Sequence, residues 1–226
     1  GDLDPSFDGD GMVTTTVGGA HAARSVALQP DGKIVAAGEG FNGIDRDFAL
    51  ARYNPDGALD TTFDGDGKLT RSVGPDYDEA RSLALQPDGK IVAAGVAGNG
   101  ADLDFALLRF RPDGALDTGF SRDGIVTTGF GAGHDVARSV ALQPDGKIVA
   151  AGYSAAGAPR DFALARYHPG GALDTGFSGD GRVTVNIGDD DVAWGVVVQP
   201  GRKLVISGES HLGGVSRFAL VRIFGV

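Results

Sequence analysis

The chain has 226 residues with a net charge of −10, 38 Gly, 10 Pro and no Cys. That charge disfavours binding along a phosphate backbone, which needs a basic stripe, and the missing Cys excludes disulfides, thiolate chemistry and Cys-ligated zinc. No apolar run approaches the roughly 20 residues of a membrane helix and no charged-then-apolar leader stands at Gly1, so the expectation is a soluble chain, in a form whose leader has been removed, with no nucleic-acid partner and no membrane insertion.

From the N-terminus, Gly1-Asp2-Leu3-Asp4 and Phe7-Asp8-Gly9-Asp10-Gly11 lead into a short strand at Met12 to Val17. The same order of segments then recurs. In the second copy Ala80 to Leu85 alternates, Gln86-Pro87-Asp88-Gly89 is a turn, and Lys90-Ile91-Val92-Ala93-Ala94-Gly95 is an apolar run, which together read as a hairpin. A variable loop follows, then a strand at Asp104 to Phe110, a second turn at Pro112-Asp113-Gly114, the segment Leu116-Asp117-Thr118-Gly119-Phe120, and a last strand at Gly124 to Thr128. Gln29, Gln86, Gln143 and Gln199 mark four such copies, spaced 57, 57 and 56 residues apart. Gly1 to Asp4 aligns with Gly57 to Asp60, and Phe218 to Val226 with Phe48 to Asp56, so the chain holds a whole number of copies begun in mid-unit.

Four strands per copy, four copies and no helical period predict an all-β chain: a β-propeller of four blades of about 57 residues. The Ile-Val-Ala-Ala runs are apolar on both faces, as expected of sheets covered on each side by a neighbour. One domain spans 1–226, with repeats at approximately 1–56, 57–113, 114–170 and 171–226. Ring closure is expected by pairing Met12 to Val17 with Phe218 to Ile223 in the last blade; exchange of those ends between two chains, giving eight blades, is the alternative.

The units Leu28-Gln29-Pro30-Asp31-Gly32-Lys33-Ile34-Val35-Ala36-Ala37-Gly38 and Asp47 to Asp60, with Phe63-Asp64-Gly65-Asp66-Gly67, resemble the bacterial delta-60 repeat. That resemblance runs over essentially the whole chain. It implies a β-propeller and a secreted or cell-surface bacterial protein, and it brings no catalytic residues with it. The fourth copy departs most, with Gly201-Arg202 for Asp-Gly, Trp194 for the repeated Arg and Arg217 for the repeated Asp.

Two loops vary between copies and are expected on one face of the ring: one before the first strand, and one, farther out, between the second and third strands at 41–46, 98–102, 154–160 and 211–215. The first set contains His21, Tyr77-Asp78-Glu79, His134-Asp135 and Asp190-Asp191, with Trp194 close by, at the mouth of the central channel. Acceptors and aromatic rings there suit a carbohydrate, a cation or a basic peptide; the plainer reading is that Asp and Gly make surface turns. Asp8, Asp10, Asp64 and Asp66 form an Asp-x-Asp-Gly pattern that offers Ca²⁺ two carboxylates without a distal Glu, and tight turns explain the same pattern.

Arg24, Arg81 and Arg138, then Arg52, Arg109, Arg166 and Arg222, then Asp4, Asp60, Asp117 and Asp174 recur copy by copy. They are read as Arg–carboxylate pairs fixing blade register, with Asp47, Asp104 and Asp161 as further partners; the rival is a ring of Arg lining the channel for an anionic ligand. The functional expectation is a secreted or surface-displayed, non-catalytic binding module for a carbohydrate or protein, monomeric or homodimeric. The alternatives are a self-assembling structural protein, or a hydrolase or lyase at the channel mouth.

Overall fold

The computed structural model describes residues 1–19, 21–156 and 159–225. Ala20, Gly157 and Ala158, which belong to the expected variable loops, and Val226 at the expected closure junction lie outside the described residues. The chain is all-β. Its first sheet is formed by β1 (His21–Leu28), β2 (Ile34–Phe41), β3 (Arg46–Tyr53) and β4 (Lys68–Arg71). The second contains β5 (Asp78–Leu85), β6 (Ile91–Gly98), β7 (Leu103–Phe110) and β8 (Ile125–Thr128), and the third β9 (Asp135–Leu142), β10 (Ile148–Ser154), β11 (Asp161–Tyr167) and β12 (Arg182–Val185). The last sheet has three strands: β13 (Asp190–Val198), β14 (Leu204–Leu212) and β15 (Val215–Ile223). Each sheet is an antiparallel meander, so each is one blade, and β1, β5, β9 and β13 are the first strands of their blades.

The blades pack face to face through three apolar clusters. Phe48 and Leu50 of blade 1 meet Ile91, Ala93 and Phe110 of blade 2, and the same columns recur at the next two interfaces. The contact extends to the backbone. Ser25 Oγ accepts from Leu83 N at 3.1 Å, Ser82 Oγ from Val140 N at 3.2 Å and Ser139 Oγ from Val196 N at 3.1 Å, so each first strand is tied to the next.

The third-strand arginines hold both their own blade and its neighbour. Arg52–Asp60 at 2.7 Å, Arg109–Asp117 at 2.8 Å and Arg166–Asp174 at 2.8 Å are buried pairs within a blade. Arg52 and Arg109 also donate to the Pro112 and Pro169 carbonyls of the following blade, and their guanidinium groups lie over Phe63 and Phe120. Burial alone would raise the Asp60 carboxyl, but hydrogen bonds from Lys33 and Thr62 with the Arg52 charge hold it well below the usual carboxylate range. The proposed further partners behave differently: Asp47, Asp104 and Asp161 accept from Asn42, Asn99 and Asn186 rather than from arginine.

The expected closure of the last blade by the N-terminal strand is not formed. Residues 12–17 have no strand structure, and the fourth sheet ends at β15. Instead the N-terminus docks on blade 1: Asp8 N donates to Asp56 O, as Asp64 N does to Asp113 O and Ser121 N to Gly170 O. Each blade's tail thus rests on the next blade, and residues 4–11 occupy that place against blade 1. Among the described residues no strand pairs with β15 on its outer side, so the ring of four blades is not closed by strand pairing. Phe218 is 104% exposed and Leu220 75%, although their counterparts Phe48, Phe105, Phe162, Leu50, Leu107 and Leu164 are buried.

Candidate functional site

A single irregularity, repeated in all four blades, builds the axial cavity. In each first strand the register with its partner slips by one residue, between Ala23 and Ser25, between Ala80 and Ser82, opposite Ala151 and Gly152, and between Ala193 and Gly195. The extra residue is therefore Arg24, Arg81, Arg138 or Trp194. A bulge leaves its residue outside the ladder and re-aims the side chain. Facing each bulge is a glycine, Gly38, Gly95, Gly152 or Gly208, because a Cβ there would drive into the carbonyl oxygen of Ala22, Glu79, Val136 or Val192. The Gly that ends the apolar run in each repeat is required by this close approach.

The four bulged residues converge on one cavity of about 360 Å³, lined by Arg24, Arg81, Arg138, Trp194 and Glu79. A second cavity of about 370 Å³ shares Trp194 and is lined also by Glu209, Arg217 and Phe218. The indole is half exposed, and the Arg138 guanidinium sits 3.9 Å from its ring centroid. Arg138 also lies 5.5 Å from the Tyr153 ring.

Two of the carboxylates at this end are already engaged. Glu79 is buried and pairs with Arg24 at 2.7 Å and Arg81 at 2.6 Å, while Tyr77 Oη donates to it at 2.6 Å. Glu39, also buried, pairs with Arg24 at 3.1 Å and Arg46 at 2.9 Å. The hydrogen bonds and charge of Glu79 hold Arg24 firmly protonated, whereas burial and then the neighbouring Arg81 charge push the Arg138 guanidinium down. Burial first, then the bond to Glu79, pushes the Tyr77 phenol far up. The first-strand arginines thus divide between the two sequence readings. Arg24 bridges blades 1 and 2 through Glu79, yet all three line the channel.

The other expected site residues take separate places. Asp78, Asp135 and Asp191 are fully buried beneath the variable loops. Asp78 accepts from Val73 N and Gly74 N, Asp135 from Phe130 N, and Asp191 from Ile187 N and Gly188 N. These carboxylates therefore hold the loops that precede the first strands. Asp190 forms an ion pair with Arg160 of the preceding blade, and His134 Nδ1 accepts from Leu103 N at 3.1 Å. His21 stands exposed at the start of β1, its Nδ1 beside Gly19 O. The two variable-loop sets do share one face, joined between blades by these contacts.

The Asp-x-Asp-Gly loops serve as turns. Asp8 and Asp64 have φ of 51°, Asp10 accepts from Met12 N, Asp64 pairs with Arg71, and Asp66 accepts from Lys68 N. Among the described residues no three His, Cys, Asp or Glu side chains come together as a metal site. Glu39 and Tyr153 carry no mark in the sequence pattern, while Arg46 and Arg160 stand in the second set of variable loops. The available signal was Trp194 standing in the Arg column, which marks that column as free to change its chemistry.

Solved structures share parts of this architecture at low identity. A candidate gluconolactonase matches with 16% identity and a TM-score of 0.40, over 88% of this chain and 58% of that one. An endo-arabinase from Bacteroides thetaiotaomicron matches with 12% identity and a TM-score of 0.46, over 88% of this chain and 73% of that one. A mannose phosphorylase from Leishmania mexicana matches with 11% identity and a TM-score of 0.44, over 86% and 65%. None of the curated proteins matches this chain. Residues 29–63, 86–120 and 143–177 match the model of a family described as "Domain of unknown function (DUF5122) beta-propeller", so three of the four repeats carry that β-propeller family's signature.

Proposed function

We propose that this chain is a non-catalytic binding module, displayed at or beyond the cell surface as a delta-60 relative would be, that takes a small saccharide in the axial cavity. The observation that carries this reading is the convergence of four bulge-aimed side chains, one from each blade and including the lone Trp194, on one cavity of about 360 Å³. That volume lies at the lower end of ligand pockets, roughly 300–1,000 Å³, and an exposed indole with polar neighbours suits a sugar ring. Against catalysis stands the engagement of two carboxylates of the channel, Glu39 and Glu79. Each is held by two arginines, so their oxygens already serve the protein's own cations. Trp194 is the only tryptophan, so its fluorescence reports the cavity directly. Titration with a panel of mono- and disaccharides is expected to give a saturable change and a raised melting temperature with at least one sugar class, and no product. A panel that shifts neither signal overturns the reading.

One observation favours a second reading, end-to-end assembly with further copies. Blade 4 presents Phe218 and Leu220, the columns that pack inside every internal blade interface, while Val26 and Leu28 are exposed on blade 1. The two ends offer complementary halves of one interface. Sedimentation velocity across a hundredfold concentration range is expected to show association that Phe218→Asp abolishes; a sedimentation coefficient unchanged over that range rejects it.

A further inference from the structure

We propose that the ligand of the axial cavity carries a carboxylate, as a uronic acid does, and that Arg138 and Arg81 bind that group beside the Trp194 ring. This rests on the saccharide reading of the same cavity and narrows its chemistry.

The chain as a whole carries −10, yet the cavity is lined by three arginines against one glutamate. Widening the view to Arg46 and Glu39 adds one charge of each sign and leaves the excess positive. Glu79 is shared between Arg24 and Arg81, so the nearest acid already serves two cations. Arg138 has no carboxylate within ion-pair distance among the described residues, and Nε of both Arg81 and Arg138 is buried without a hydrogen-bond partner. An anion entering the cavity supplies the charge partner that Arg138 lacks, through the guanidinium nitrogens other than the buried Nε.

Geometry then selects the kind of anion. Arg138 lies against the Trp194 ring. Stacking uses the face of a guanidinium and leaves its N–H edges for hydrogen bonds, and those edges match the two oxygens of a planar carboxylate. Glu79 stands in the same cavity, so a monoanion meets less repulsion there than a doubly charged phosphate. The indole borders both the arginine-lined cavity and the one beside Phe218, which gives a sugar ring a surface to lie on next to the bound carboxylate.

The deciding experiment is calorimetric and Trp194-fluorescence titration of the whole chain with sodium glucuronate and galacturonate, beside glucose, galactose and inorganic phosphate. The expected result is that a uronate binds at least tenfold more tightly than its neutral counterpart, and that Arg138→Gln brings the ratio close to one while the protein still melts cooperatively. Equal affinity for neutral and acidic sugars overturns the inference and leaves the saccharide reading standing. Phosphate binding as tightly as a uronate overturns the carboxylate assignment, and silence from every sugar removes both readings. Should Arg138→Gln not fold, the uronate preference of the parent chain still decides. Arg138→Lys then serves as the second variant: retention of the full preference without the planar fork counts against the proposal.

Discussion

Two sets of arginines recur once per blade, and the fold uses them in opposite ways. Arg52, Arg109 and Arg166 sit in regular third strands, where the ladder fixes their direction between blades; each is buried, paired with an aspartate and stacked on a phenylalanine. Arg24, Arg81 and Arg138 sit on bulges of the first strands and turn toward the axis, where carboxylates run short. Repetition alone does not separate a structural residue from a ligand-facing one. What separates them is whether the backbone keeps or breaks its register, and whether the fourth copy keeps the residue type. The third-strand column remains Arg at Arg222, while the bulge column changes to Trp194.

The largest effect is expected in the buried set. Arg109→Ala leaves Asp117 buried without its main partner and removes the bond to the Pro169 carbonyl, so a loss of about 3–5 kcal/mol is expected in denaturant unfolding. A loss below about 1 kcal/mol would place Arg109 with the channel arginines. The same set has an acid signature. Although burial opposes it, Gly119, Arg109 and Lys90 hold Asp117 below the ordinary range, as Lys147, Arg166 and Gly176 hold Asp174. A depressed carboxyl contributes its stability in full above its unfolded value, near 3.9, and loses it as pH falls through the folded value. Asp78 and Asp135, raised by burial, act in the opposite sense: they oppose folding at neutral pH and relax as the pH drops through their folded values. Melting temperature is therefore expected to fall below about pH 4, with Asp117→Asn flattening the fall and Asp78→Asn leaving it in place.

A smaller loss is expected where the bulge is forced. Gly95→Ala places a methyl group against the Glu79 carbonyl, and overpacking of that kind costs roughly 1–3 kcal/mol. The strand can yield only by giving up the bulge, which would swing Arg81 off the axis. Trp194 fluorescence and the melting curve together read both consequences; a variant as stable as the parent would show that the bulge is not held by the glycine.

Much of the blade was legible. The Pro-Asp-Gly turns, the apolar second strands and the short last strand at Ile125–Thr128 stand where periodicity and turn chemistry put them. The bulges were not, because Ala80 to Leu85 reads as plain alternation and one unpaired residue leaves no mark on composition. Its trace lay in the partner strand, in the Gly at the end of each Ile-Val-Ala-Ala run. Closure was illegible for a different reason: the angle between blades comes from side-chain packing across an interface, and no local pattern encodes it. Asp78, Asp135 and Asp191 looked like surface acceptors because sequence marks a loop without marking depth, and burial turns them into loop anchors.

The smallest stability effect belongs to Arg138, and it separates the two arginine columns most directly. Arg138→Gln removes the contacts with the Trp194 and Tyr153 rings but no ion pair, so the expected loss is that of partly exposed cation–π contacts, about 0.5–1 kcal/mol. Two forces act in opposite directions here. The stack favours Arg, whereas burial and the neighbouring Arg81 and Arg160 charges oppose it. If repulsion dominates, the variant melts higher than the parent, and the residue is kept at a cost to the fold. Either small result, set beside a large loss for Arg109→Ala, assigns the two columns to different work. A loss for Arg138→Gln as large as that for Arg109→Ala would make the channel column structural as well and take away the reason for placing a ligand there.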